Sequence, residues 1–398
     1  MARKRTTSAT GPLTAEDLWT HHHAEYRDPH QIASQWRQAG EVEAALLQYT
    51  VRGRWWQTLE QTGLTLLVTR EYEHLVMALS VHNGRPHLSF LHLPHPNGMA
   101  VDAEQGCVFL ASTRNPNMIF EFAPCTGGLE GERLERGQKG ALLPRQARYL
   151  PGCLYLHDLA LINGELYANA VGLNAVVRLP VDGRPELAWW PRCIDSAHGP
   201  KTDKNYLQLN SIAPGVSLKE SYFTASTATP GRRRPGHLNF PVDRRGVVFN
   251  GATREVVGIG LTRPHSARLH DGEVWVDNSG YGQVGRMSDG KFESVFQLGG
   301  WTRGLFFHGG LAFAGTSRVL PRYRHYAPGL DADHCETGVH ALDLATGRVL
   351  GSLLWPLGNQ IFAIEGLGRD RTLGFPFVQG ANTSPTSRIR LFSRGVAA

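Results

Sequence analysis

The chain has 398 residues, of which 41% are hydrophobic and 19% are charged, a composition typical of a folded protein. The formal net charge is +6, but the two dense basic runs, residues 3–5 and 232–234, are typical of a solvated tail and a surface loop, so we expect no nucleic-acid partner. Five cysteines without a C-x-x-C pair, and the absence of a long apolar run, lead us to expect a cytoplasmic protein with no membrane partner.

The predicted elements begin with a short N-terminal helical extension. Residues 1–13 are polar and small, which indicates a disordered tail. Thr14 followed by Glu16 and Asp17 is a plausible helix start, and apolar residues continue at near-helical spacing, so we predict the extension over residues 14–56. The three histidines at 21–23 diverge by about 100° each on a helix, and an exposed polar face explains them better than a metal site.

From residue 57 onward the sequence consists of short β-type runs in a repeat. Each unit has a polar residue, an apolar strand, a turn, and a second strand that ends in small polar residues. Two further strands follow each core, and four strands make a propeller blade. We therefore predict an all-β fold over residues 57–398, a single β-propeller of six four-stranded blades. The sixth unit is the faintest, and its missing strand could come from residues 65–79 or residues 388–392. The six units start at Asn97, His157, Asn210, His265, Thr302 and Gln360.

The starts of the inner strands converge on the propeller axis, where ligands bind. Asp158 and Arg303, each next to a unit start, are candidate catalytic residues. Arg114 and Arg318 lie just beyond a second strand and could clamp a carboxylate or phosphate, although surface ion pairing is the simpler explanation. A polar residue at a strand start can equally cap a turn or hold water. The predicted substrate-binding residues are Asn97, Asn210, Ser266, Thr302, Gln360, Arg114 and Arg318.

Three histidines suggest a transition-metal site. His157 and His265 are in register with the blade period, and His95 lies two residues from Asn97 in a proline-rich loop. Three neutral imidazoles would bind Cu, Fe or Zn and leave an open coordination position, with Asp158 as a partner of one imidazole or as a ligand itself. The main alternative is an acid–base role for His157 or His265.

Several stretches resemble a bacterial propeller family known only as conserved proteins of unknown function. They are YLHD at 155–158, PHSARLHDG at 264–272, VWVDNSG at 274–280 and RGL at 303–305. The resemblance implies a propeller fold and an axial cluster shared with distant six-bladed gluconolactonase-type proteins, and it supplies no known reaction. The sequence departs from the family pattern at LPHPN, residues 93–97, which adds an imidazole to the first unit of the repeat.

These observations favour a metal-dependent enzyme that oxidatively modifies a small molecule or a peptide side chain. One alternative is a non-catalytic propeller that binds a protein or peptide through its blade loops. A second is a lactonase-like hydrolase. No nucleotide-binding loop, serine elbow or H-E-x-x-H motif is present, and the oligomeric state is left open.

Overall fold

The computed structural model describes residues 14–27, 40–114, 116–127, 140–380 and 395–396. Most of these residues lie in strands, and six blades of four antiparallel strands each form a closed ring; one parallel pairing, between Ile259 and Lys291, joins the outer strands of two neighbouring blades into one sheet. The inner strand of each sheet contacts the inner strands of both neighbouring sheets. The prediction of a single six-bladed β-propeller is therefore confirmed.

The blades, numbered 1 to 6 around the ring, are antiparallel sheets whose strands run from the axis outward. In that order of blades, the inner strands are Ile361–Gly368, Pro96–Asp102, Leu156–Ile162, Leu209–Ala213, Pro264–His270 and Trp301–His308. The second strands are Leu64–Arg70, Cys107–Ser112, Glu165–Ala170, Tyr222–Ala225, Glu273–Asn278 and Leu311–Ser317. The third strands are Leu75–His82, Asn117–Gly127, Ala175–Arg178, Gly246–Asn250, Gln283–Ser288 and Thr337–Asp343. The outer strands are Arg85–His92, Leu142–Leu150, Glu186–Trp189, Val256–Leu261, Lys291–Gln297 and Arg348–Trp355.

Short elements lie between and beside the blades. Strand Thr50–Gly53 extends blade 6, Phe377–Val378 extends blade 1, and Gly395–Val396 pairs with the third strand of blade 2. A small hairpin joins Asp195–Ser196 to Gly199–Pro200. The 3₁₀ helices are Val171–Leu173, Arg192–Ile194, Leu218–Glu220, Ser279–Tyr281 and Pro321–Tyr326.

Blade 1 closes the ring with strands from both ends of the propeller. Its inner strand, Ile361–Gly368, pairs antiparallel with Leu64–Arg70, so that Val68 faces Ile364. Pairing the two ends in one sheet leaves no open edge at the seam. Closure by the segment around residues 65–79, one of the two predicted possibilities, is what the structure has, and residues 388–392 lie outside the described part of the chain.

The N-terminal region contains the helices Ala15–Arg27, Ala44–Leu47 and Trp55–Thr62. The Thr14 hydroxyl accepts a hydrogen bond from the Asp17 amide at 3.1 Å, which caps the first helix as the sequence suggested. The predicted tail, residues 1–13, lies outside the described residues. Trp55 is fully buried and meets Phe313 of blade 6 edge to face, so the last helix packs on the propeller. In the described residues, no helix has the length and apolar character needed to cross a membrane.

Each inner strand has a break in register near its start, which is the pattern of a β-bulge. A bulge re-aims the side chains beside it. The second residue of the inner strand is equivalent in all six blades, and in blade 1 this residue is Phe362. The predicted alignment, which had Gln360 at this position, was therefore two residues out of register. The second strand of this blade comes from the other end of the chain, so no adjacent turn was present to anchor the alignment.

Candidate functional site

A cavity of about 450 Å³ lies at the end of the axis where the inner strands begin. Side chains from the starts of inner strands and from the loops after second strands surround it. Its dimensions suit a small molecule. The residues that form its floor and walls include His157, His265, Arg303, Gln360, Phe362, Trp301, Tyr72, Tyr323 and Tyr326.

The lining carries a strong excess of positive charge. Five arginines border the cavity, and Glu71 is the one carboxylate among the described residues that do so. Such a field concentrates anions. The arginines are Arg114, Arg234, Arg263, Arg303 and Arg318.

Arg303 is a buried cation that has no ion pair among the described residues. Its exposure is 6%, and its guanidinium lies over the ring of Phe362 at 3.2 Å from the centroid. Its one hydrogen bond within the described residues runs from Nη2 to Nδ1 of His157 at 3.5 Å. Burial lowers the pKa of Arg303 to about 10, so the side chain still carries its charge at neutral pH. A buried guanidinium without a carboxylate is costly, and an anionic ligand would offset that cost.

Glu71 stands at the rim and is partly neutralised there. Its carboxylate lies 3.5 Å from Nη2 of Arg114. Burial raises the pKa of Glu71, and the charges of Arg303 and Arg114 oppose that rise. The neighbouring Tyr72 hydroxyl accepts a hydrogen bond from Arg322 at 2.8 Å, and burial raises the pKa of Tyr72 to about 12. Tyr72 is therefore a neutral phenol at physiological pH.

The hydrogen bonds of His265 define its tautomer. The Ser279 hydroxyl donates its single proton to the carbonyl of Thr302 at 2.6 Å. The same hydroxyl oxygen lies 2.8 Å from Nδ1 of His265, so it must accept a proton from that nitrogen. Burial, followed by the charge of Arg303, holds the pKa of His265 well below its usual range. The ring is neutral with its proton on Nδ1, and Nε2 keeps its lone pair.

His157 has the opposite arrangement. Arginine can only donate, so Nδ1 of His157 accepts from Arg303 and the ring proton lies on Nε2. Burial, followed by the charges of Arg303 and Arg114, keeps the pKa of His157 well below its usual range. Both imidazoles are therefore neutral and border the same cavity, and only His265 has an unprotonated Nε2.

His95 lies apart from these two histidines. It does not line the cavity, and its ring packs edge to face on His74 at 4.3 Å between centroids. Its Nδ1 is 3.9 Å from a Glu71 oxygen. In the part of the chain that the structure describes, no three His, Cys, Asp or Glu side chains are grouped so that they could hold a metal ion. The predicted metal set is thus divided between the cavity and the rim of blade 1.

The other predicted site residues form two groups. Arg303, Gln360, Arg114 and Arg318 line the cavity, and Nη2 of Arg318 also donates to the Pro356 carbonyl at 2.7 Å. A second group does not line it. This group comprises Asn97, Asp158, Asn210, Ser266 and Thr302.

The residues of the second group join one blade to the next through side-chain to backbone hydrogen bonds. Asn210 of blade 4 donates to the Pro264 carbonyl of blade 5 at 2.9 Å. Ser266 of blade 5 accepts from the Gly304 amide of blade 6 at 2.7 Å.

The remaining members make similar contacts. Asn97 donates to the Leu156 carbonyl, and Asp158 accepts from the Ile212 amide at 3.0 Å. Thr302 donates to the Gln283 carbonyl at 3.2 Å. In-register polar residues thus mark the boundaries between blades as well as the lining of the axial cavity.

The sequence interpretation missed several residues of the cavity. Arg263 is fully buried, stacks on Tyr326 at 3.7 Å and directly precedes Pro264, but one arginine before a strand carries little signal. Tyr323 and Tyr326 lie in the long connection between the second and third strands of blade 6. The length of that insertion was the available signal, because long loops in compact folds are often functional.

Several solved structures are similar to this chain. They include a chain of a nidogen/laminin complex, with 11% identity and a TM-score of 0.49 over 76% of this chain and 98% of that one. A putative gluconolactonase has 18% identity and a TM-score of 0.45, with 78% of this chain and 88% of that one covered. The gluconolactonase XC5397 from Xanthomonas campestris has 13% identity and a TM-score of 0.42, with 74% and 86% covered.

No protein of curated function matches the sequence. A family model does match, over residues 53–372, which include every strand of the six blades. The predicted resemblance to a propeller family of unknown function is therefore confirmed. The chain belongs to the family described as Domain of unknown function (DUF4915).

Proposed function

We propose that this propeller binds a small anionic molecule in its axial cavity, with Arg303 as the residue that holds the anionic group. The observation that carries the proposal is a buried guanidinium with no ion pair among the described residues. Phe362 covers the face of this guanidinium, so its N–H groups are directed to the sides. Carboxylates and phosphates are the anions that arginine binds best in this way.

The walls of the cavity indicate the rest of the ligand. Trp301, Tyr323, Tyr326 and Phe362 present aromatic surface beside the arginines. Aromatic walls with a few polar groups are typical of sites for small molecules that have an apolar or planar part. The ligand class is therefore a carboxylate or phosphate attached to such a part.

Calorimetry with matched probes tests the proposal. Benzoate and phenyl phosphate carry an anionic group on a ring, whereas benzamide has nearly the shape of benzoate without its charge. We expect one of the anions to bind and benzamide to bind at least tenfold more weakly. Arg303→Gln should weaken anion binding about 30-fold, the equivalent of about 2 kcal/mol for a charge-assisted contact.

Arg286→Gln is the matched control for Arg303→Gln, because Arg286 pairs with Glu273 and Glu293 in the outer part of blade 5. It removes the same charge away from the cavity and should leave affinity unchanged. Equal affinity for benzoate and benzamide, or full affinity in Arg303→Gln, would contradict the proposal.

Metal-dependent oxidation of a small molecule or a peptide side chain is a second candidate, because His157 and His265 bring two neutral imidazoles to one cavity. His95 lies outside the lining and His157 Nδ1 faces Arg303, so the three predicted ligands do not fit one donor set. Elemental analysis tests the candidate directly. Stoichiometric Cu, Fe or Zn that is lost in a His157→Ala/His265→Ala double variant would support it. A metal-free wild type after growth in metal-replete medium would end it.

A further inference from the structure

We infer that His265 acts as a base on the bound anion and that Ser279 is the positioning residue that prepares it, an inference that rests on the anion-binding function proposed above. The reaction class is transfer of a proton from a carbon next to a carbonyl group in a ligand that also carries an acidic group. The geometry points to this through three connected features of blades 5 and 6.

The first feature is that the orientation of His265 is fixed from behind. Its ring is 3% exposed, and Nδ1 is held by Ser279 Oγ at 2.8 Å. Ser279 is fully buried and opens a short 3₁₀ turn, where the next amide, Gly280, donates to the Thr262 carbonyl at 3.0 Å. A base whose second nitrogen is bound by an orienting group has the arrangement that proton-transfer sites require.

The second feature is that the base is joined to the anion-binding residue. Ser279 donates to the carbonyl of Thr302, and the next residue along that inner strand is Arg303. The hydrogen bonds from His265 thus cross from blade 5 to blade 6 and reach the backbone directly before Arg303.

The third feature is chemical complementarity. The lone pair on Nε2 of His265 takes the proton, the C–H bond next to the ligand's carbonyl group breaks, and its electron pair moves toward the carbonyl oxygen to form an enolate. Arg303, still bound to the acid group, stabilises the added negative charge. The bound anion in turn offsets the charge of Arg303, which is one of the causes that lower the pKa of His265 in the free protein. Return of a proton from Nε2 completes the exchange, so no oxidant or other reactant is required.

Two measurements test the inference, and the first uses the ligand-free protein. ¹⁵N NMR of labelled histidine should show His265 with its proton on Nδ1. Ser279→Ala removes the acceptor for that proton and should shift the ring toward the Nε2–H form, whereas Ser279→Thr keeps a hydroxyl and should restore the wild-type signal. His340, held between Thr316 and Ser352 by hydrogen bonds of 2.8 Å, is an internal control whose signals should not change.

The second measurement follows deuterium incorporation at the methylene carbon of phenylpyruvate in D₂O, a probe with a carboxylate, a ring and an acidic C–H. Wild type should accelerate the exchange, His265→Asn should lose about 100-fold of the rate, and Ser279→Ala should lose about tenfold with recovery in Ser279→Thr. An unchanged tautomer in Ser279→Ala overturns the role of Ser279. Equal exchange by wild type and His265→Asn, with phenylpyruvate bound to both, overturns the role of His265. Failure of every anion to bind would instead reject the anion-binding function itself.

Discussion

Asp277, at the end of the second strand of blade 5, is a buried acid that the blades leave without hydrogen bonds. It has no measurable exposure, and neither carboxylate oxygen has a hydrogen-bond partner in the described structure. Burial raises the pKa of Asp277 to about 8, although the nearby Ser266 hydroxyl and the positive charges of Arg268 and Arg303 act in the opposite direction. Asp277 is therefore mostly protonated at neutral pH in the folded protein and ionised in the unfolded chain.

This difference predicts a pH dependence of stability. The pKa of Asp277 is higher in the folded protein than in the unfolded chain. The proton bound to Asp277 therefore stabilises the fold fully at pH values below the pKa of the unfolded chain, and this stabilisation disappears as the pH rises through 8. The free energy of unfolding should fall by about 1 kcal/mol between pH 7 and pH 8 through Asp277. Asp277→Asn, which cannot ionise, should lose this dependence and be more stable than wild type at pH 8. Urea unfolding at the two pH values measures both effects.

Asp289→Asn is the matched control for Asp277→Asn, because Asp289 is exposed in a turn of the same blade and has a positive φ that asparagine also tolerates. It should leave the pH dependence as it is in wild type. A variant Asp277→Asn that unfolds with the wild-type slope would show that Asp277 is ionised in the folded protein.

The inner strands show how far the sequence could specify this fold. Turns such as Asn163-Gly164 and Asp271-Gly272 join the first two strands of their blades, and they sufficed to align five of the six units. Each turn lies next in sequence to both strands that it joins, so its signal is local. The sixth unit of the repeat forms the inner strand of blade 1, and its partner strand is about 300 residues away. The alignment therefore placed Gln360 where the structure has Phe362.

The candidate site was predictable only in part, for a related reason. The sequence identified His157, His265 and Arg303 because each lies at an inner-strand start. It could not separate them from Asn210 or Ser266, since the distinction depends on whether a backbone group of the next blade meets the side chain. The aromatic walls of the cavity come from loops. Packing between blades determines the course of these loops, and no local sequence pattern predicts that course.

The propeller depends as a whole on the seam in blade 1. Every other blade is a continuous stretch of chain, whereas blade 1 combines Ile361–Gly368 with three strands from residues 64–92. The largest cluster of buried apolar side chains is formed around this blade, and it includes Val68, Leu66, Ile361 and Ile364. Long-range pairing of this kind has a high loop-closure entropy and is intrinsically slow to form. Loss of the seam should therefore affect all six blades together.

Ile364→Ala tests this dependence. Ile364 is fully buried, faces Val68 across the seam and packs against Gly304 of blade 6. Removing its side chain should lower the free energy of unfolding by about 3 kcal/mol, as expected for a large cavity in a core. Leu187→Ala on the outer strand of blade 3, where the side chain is 48% exposed, should change it by less than about 0.5 kcal/mol. Tryptophan fluorescence should report the same single transition as far-UV circular dichroism, because Trp55, Trp275 and Trp189 lie in different parts of the ring. If Ile364→Ala produced an early, separate transition while the other blades stayed folded, the ring would not be one cooperative unit closed at blade 1.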